Sequence, residues 1–203
     1  IKSAWAFEWY VRSHDVRDKL QAGSYAFNPS MGVGTIVKQI TTGKVASDLF
    51  TILPAKRIGE IQASFVKAGY SVADVEKAFT PAQYDGHPAL TDKPAEASLE
   101  GYLYPESFLK DASTTPETII EASLDEMAKA LTTDVRAGFT RQGLTVHQGV
   151  ILASIVEKEV SSNEDRQKVA QVFLKRLRTG MMLGSDVTAY YGAEEAGLTR
   201  SVL

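Results

Sequence analysis

Cysteine is absent from the 203 residues, which excludes disulfides, thiol nucleophiles and Cys-based zinc sites. Histidine is scarce: His14, His87 and His147 stand far apart, with no HExxH pair of the kind a zinc hydrolase carries. Walker-type phosphate loops, GxGxxG turns and GxSxG elbows are all missing. Long apolar runs are missing too, since the stretch from Val150 to Val156 is interrupted by Ser154 and falls well short of the roughly 18 residues that cross a bilayer. Basic excess is also lacking. With 22 Lys+Arg against 25 Asp+Glu the formal net charge is −3, which argues against a nucleic-acid partner.

What the sequence does contain is an ordinary globular balance. A hydrophobic fraction of 44% is far too high for a disordered chain. At about 150 residues per domain, the length suits one large domain or two unequal ones. The first residue is Ile1 rather than Met and no signal-peptide pattern follows, so the chain is expected to be a trimmed piece, with any anchor or signal of its parent protein lying outside it.

Residues 1–48 read as a small α+β unit. A helix is expected from Ala4 to Val11, a short strand over Ala22–Phe27, and a helix over Val33–Ile40, where Val33, Ile36, Val37 and Ile40 keep helical spacing. Gly43 supplies a left-handed position to end that helix. In residues 49–203, Leu49–Leu53 is a β-type run closed by Pro54. Helices are expected over Arg57–Ala68, Val72–Phe79, Pro116–Ala130, Val146–Val160 and Asp165–Arg178, the last with an N-cap signal at Ser162. The Pro-rich stretch Pro81–Ser98 reads as a loop or lid. The basic residues between Arg166 and Arg178 accompany a normal apolar side and read as a solvated face.

Three clusters could carry chemistry. In the first, Ile151, Leu152, Ile155 and Val156 define an apolar stripe; at about 100° per residue, Glu159 falls inside it and Glu157 on the opposite side. A carboxylate in apolar surroundings has its charged form disfavoured, which suits general acid work near neutral pH. The alternative is that Glu159 simply emerges into solvent at the helix end or pairs with an arginine. In the second, Glu100, Tyr102, Tyr104 and Glu106 surround Gly101 and Pro105. Flat aromatic faces beside carboxylates suit a sugar cleft, although a turn whose tyrosines complete the core would have the same composition. In the third, Ser185, Asp186 and Thr188 follow Gly184, where they could tune or extend a site at Glu159 or merely cap a turn.

In this order and spacing, three segments resemble the YceG-like family of endolytic murein transglycosylases. They are Leu99–Ser107 (around EGYLYPE), Leu152–Glu159 (LASIVEKE) and Val172–Gly192 (around GMMLGSDVTAYYG). Ala22–Gly43 resembles the family's LysM-like subdomain. Where the family commonly has Gln before the Ser-Asp pair and Pro after it, this chain has Gly184 and Val187.

The resemblance implies an α+β fold: a LysM-like module at 1–48, lacking its first strand, and a catalytic domain at 49–203, short at its C-terminus. It implies cleavage of the β-1,4 bond between MurNAc and GlcNAc in peptidoglycan strands with a 1,6-anhydro end, trimming or terminating nascent strands. Glu159 matches the family's acid/base, and Glu100, Tyr104, Glu106, Ser185, Asp186 and Thr188 would line the glycan cleft. No metal or cofactor is implied. The expected partners are glycan strands and cell-wall synthesis proteins, with the catalytic part outside the cytoplasmic membrane. Two rival readings stay open. One is a non-catalytic glycan-binding module of the same fold, the other a hydrolase pairing Glu159 with Asp186 or Glu106.

Overall fold

The computed structural model describes residues 4–20, 25, 27, 31–42, 48–111 and 113–197. The expected strand over 22–27, apart from residues 25 and 27, and the helix stop at Gly43 lie outside those residues. The described chain is α+β and mostly helical, with one two-stranded sheet. It divides into two compact units, residues 1–51 with 107–115, and residues 52–106 with 116–203.

In the first unit, α1 (Ala4–Ser13) packs against α2 (Val33–Thr41). The expected period is visible in α2, which buries Ile36 and Val37. Gly34 admits the Tyr10 ring, because a Cβ there would stand 2.9 Å from the Tyr10 hydroxyl. Strands β1 (Asp48–Thr51) and β2 (Ser107–Lys110) pair antiparallel with Phe50 opposite Phe108. Phe50 is buried and Leu49 exposed, the alternation expected of a strand with one covered face.

The second unit holds α3 (Ile58–Lys67), α4 (Val72–Ala78), α5 (Pro116–Ala130), α6 (Thr133–Arg141), α7 (Val146–Glu159), α8 (Asn163–Arg178) and α9 (Asp186–Glu195). Its core gathers Phe65, Val75, Leu99, Tyr102, Ile119, Ile120 and Leu124. Phe65 meets Phe79 edge-on, with centroids 5.6 Å apart. A smaller cluster of Leu152, Val156 and Phe173 joins α7 to α8. Side-chain caps start several helices, through Ser71, Thr132, Thr145 and Ser162. At α7 the cap is reciprocal: Thr145 Oγ1 accepts from Gln148 N at 3.1 Å, and Gln148 Oε1 from Thr145 N at 3.0 Å.

Two features differ from expectation. The Pro81–Ser98 stretch is no free lid. It holds 3-10 turns at Pro81–Tyr84 and Pro88–Leu90, buries Tyr84, Ala89 and Leu90, and is pinned by Tyr84 Oη donating to Ala78 O at 2.7 Å. Helices α6 and α9 stand where no helix was expected.

Candidate functional site

The end of α7 is tied to three different elements by three consecutive residues. Glu157 pairs with Arg166 of α8 at 2.9 Å. Lys158 Nζ donates to the carbonyl of Ala55, in the turn before α3, at 2.5 Å. Glu159 Oε1 accepts a short hydrogen bond from the Ser185 hydroxyl, at the start of α9. The EKE triplet therefore fixes the helix end from three sides, and the helical period sends each side chain to its own neighbour.

Glu159 itself is exposed, which corrects the expectation of an apolar environment. The reason lies in the stripe used to predict it. Ile151 is 47% exposed, so the face α7 buries runs through Gly149, Val150, Leu152 and Val156. At about 100° per residue this shifts the buried centre by roughly 85° and leaves Glu159 near its edge. There the carboxylate is open to a ligand on one side and held by Ser185 on the other.

Ser185 is 7% exposed, one of two buried serines among the described residues. It occupies the N-cap position of α9 yet makes no side-chain cap bond, because its hydroxyl is turned to Glu159. Thr188 donates to the Ser185 carbonyl at 2.7 Å, closing the first turn of α9. Asp186, the first residue of α9, is exposed beside them. Gly184 has a structural reason of its own. Its φ is +61°, and a Cβ there would stand 2.9 Å from Arg176 Nη1, whose guanidinium donates to the Leu183 carbonyl.

Glu100 is half-buried, and its Oε2 accepts the backbone N–H of Ile58 at 2.8 Å. Burial pushes its carboxyl above the ordinary range, opposed by that N–H and by Arg57. Arg57 also stacks over the Tyr191 ring at 4.7 Å and pairs with Glu194 at 2.5 Å. Burial, with Glu100 and Glu195 nearby, raises the Tyr191 phenol in turn.

Tyr104 and Glu106 lie on the extended stretch leading to β2, with exposed side chains. Their carbonyls are structural, accepting from Ser123 Oγ at 3.1 Å and Ile52 N at 3.0 Å. Tyr102, the other tyrosine of that motif, is wholly buried and bonded to His147 at 2.8 Å. Its phenol is pushed up to about 12, chiefly by burial. Among the described residues no group of three or more His, Asp or Glu side chains could hold a metal ion, and no helix is long and apolar enough to cross a membrane.

The YceG-like family model matches residues 1–202. The chain belongs to the YceG-like family. It is 28% identical over 206 residues to the endolytic murein transglycosylase of Bacillus subtilis, covering 95% of this chain and 57% of that protein. It is likewise 28% identical over 220 residues to the Streptococcus pneumoniae (strain D39) protein of the same name, covering 97% of this chain and 40% of that one. A crystal structure of a yceG-like protein from Listeria monocytogenes superposes with a TM-score of 0.62 at 28% identity, covering 94% of this chain and 66% of that one. The chain thus spans about half the length of the curated relatives it matches.

Within this YceG-like chain the contacts add two residues that sequence reasoning missed, Arg57 and Lys158. Lys158 stood inside a quoted motif, but helical phase gave no hint that its ammonium would reach Ala55. Arg57 carried no signal at all, since an arginine before a helix reads as an ordinary surface charge.

Proposed function

We propose that this chain carries the catalytic part of an endolytic lytic transglycosylase, with Glu159 as its single acid/base. The observation that carries the reading is Glu159 itself. It ends the LASIVEKE helix, open to solvent, with one carboxylate oxygen held by a buried serine. Two relatives of matching sequence bear the name endolytic murein transglycosylase.

In its acid form Glu159 donates a proton to the glycosidic oxygen between MurNAc and GlcNAc, and the C1–O bond breaks. The muramoyl C6 hydroxyl then attacks C1, and its proton returns to the Glu159 carboxylate. A 1,6-anhydro ring forms, no water is consumed, and the enzyme is regenerated. One correctly oriented carboxyl suffices because the nucleophile is part of the substrate, already held within reach of C1. The Ser185 bond fixes the carboxylate rotamer for both transfers. Glu100, Tyr104, Glu106, Asp186 and Thr188 supply glycan contacts in this reading, with Ser185 completing the wall.

Residues 1–48 serve as the LysM-like glycan-holding module and 49–203 as the catalytic domain. An anchor outside this chain keeps both at the outer face of the cytoplasmic membrane, where strands are made and cell-wall synthesis proteins work. The test is digestion of peptide-free glycan strands by the chain and by its Glu159→Gln variant. New internal ends lighter by one water, lost in the variant while strand binding persists, are expected. Full-mass reducing ends would sink the mechanism in favour of a two-carboxylate hydrolase; binding without any cleavage would favour a glycan-binding module.

A further inference from the structure

We propose that Arg57 is the positioning residue of this site: its guanidinium holds α9, and through α9 the Ser185 hydroxyl, against the Glu159 carboxylate. The proposal rests on the reading of Glu159 as acid/base, but its first observable does not.

The argument begins with what α9 lacks. Of its ten residues it buries only Ala193. A helix without an apolar stripe cannot take its position from the core and must take it from polar contacts. Such contacts lie at both ends of α9. At the front, Ser185 stands where a serine usually accepts a backbone N–H of the first turn, and it donates to Glu159 instead. At the back, Tyr191 and Glu194 stand three residues apart, on one face. Arg57 engages both, stacking 4.7 Å above the Tyr191 ring and placing Nη1 2.5 Å from Glu194 Oε2. A planar guanidinium can stack and donate at once, which a lysine cannot do.

The other side of Arg57 is anchored as well. Its backbone N–H donates to Glu60 Oε2 at 3.0 Å, starting α3. Two residues earlier Ala55 sits at φ 56°, a left-handed conformation that a non-glycine residue keeps only when its surroundings hold it. Lys158 provides that hold through its 2.5 Å bond to the Ala55 carbonyl. The contacts form a closed ring: Glu159, its neighbour Lys158, the turn at Ala55, Arg57, the back of α9, Ser185, and Glu159 again. An ion pair that merely decorated the surface would stabilise little and would have no reason to close such a ring. The Arg57 side chain is 20% exposed and that of Glu194 41%, so it is the stack on Tyr191 together with the ion pair, and not the ion pair alone, that holds α9.

Hydrogen exchange and cleavage are measured on the whole chain, on Arg57→Gln, Arg57→Lys, Ser185→Ala, and the Arg57→Gln/Ser185→Ala double variant. In Arg57→Gln the amides of residues 187–195 are expected to exchange about tenfold faster or more, while those of α5 keep their protection. Turnover falls about 10- to 100-fold with KM nearly unchanged, as a misplaced acid/base should behave. Arg57→Lys recovers part of both effects, and the double variant is no slower than the slower single one, because both changes act through one contact. Should Arg57→Gln loosen α5 too, Glu194→Gln removes the same ion pair from the α9 side and carries the test. Unchanged exchange in α9, or losses that multiply in the double variant, would overturn the proposal. If α9 loosens as expected but the unaltered chain cleaves no strands, the clamp stands and the transglycosylase reading fails. Cleavage with a protected α9 in Arg57→Gln is the reverse.

Discussion

Helices α5 and α9 belong to the same unit and are held by different physics. Over 15 residues α5 buries Pro116, Ile119, Ile120, Ser123 and Leu124, so its orientation follows from apolar area removed from water. Over ten residues α9 buries one alanine and relies on a serine, an arginine stack and an ion pair. The scaffold helix is insensitive to any single polar contact. The site helix depends on a few of them, each with a defined direction. Direction is what a site needs, since a proton transfer tolerates far less misplacement than a hydrophobic contact does.

The comparison can be broken first at α5. Leu124 is wholly buried, and Leu124→Ala should cost about 2–5 kcal/mol, read as a lower midpoint in thermal or denaturant unfolding. A somewhat smaller loss is expected at the α6–α7 contact. Gly149 lies directly against the Phe139 ring, so the methyl of Gly149→Ala overpacks it at about 1–3 kcal/mol. On α9 the equivalent change should be mild: Val187→Ala removes half-buried methyls from a helix that contributes little to the core, with a loss under about 1 kcal/mol. If Val187→Ala destabilised the fold as much as Leu124→Ala, the contrast between the two helices would collapse.

The smallest effect is a matter of pH. Burial raises the Glu100 carboxyl, so the folded chain holds that proton more firmly than the unfolded one does. Its contribution to stability is present below the ordinary carboxylate pKa and is lost as pH rises through the raised value. Glutamine keeps an oxygen for the Ile58 N–H and carries no charge to desolvate. Glu100→Gln should therefore gain stability relative to the unaltered chain between about pH 4 and pH 7. Paired melting curves across that range check the sign; a relative loss on raising the pH would contradict it.

Periodicity made the scaffold legible. The expected bounds Pro116–Ala130 are those of α5, and α7 ends one residue short of the expected Val160, because repeated apolar spacing and clear caps mark both. It failed where burial does not place the helix. The apolar residues of α9 do not line one side, and its Gly-Ser-Asp start reads as a turn. Helix α6 has Gly138 at its centre and no buried residue, leaving too few apolar positions to count.

The site divides in the same way. Glu159 was legible as a motif residue, while its surroundings were misread because Ile151 and Ile155 look like core and are exposed and half-buried. Ser185 was legible as a site residue through the family motif. That its hydroxyl leaves the helix cap for Glu159 depends on a contact between residues 26 positions apart, which no local pattern encodes.

The central claim is that one carboxyl at Glu159 works with a nucleophile supplied by the substrate. Cleavage of glycan strands by this chain in water enriched in heavy oxygen tests it most directly. Intramolecular attack predicts new ends that are lighter by one water and free of label, and that are absent when Glu159→Gln replaces the unaltered chain. New reducing ends carrying the heavy oxygen would mean that water is the nucleophile, and would contradict the account.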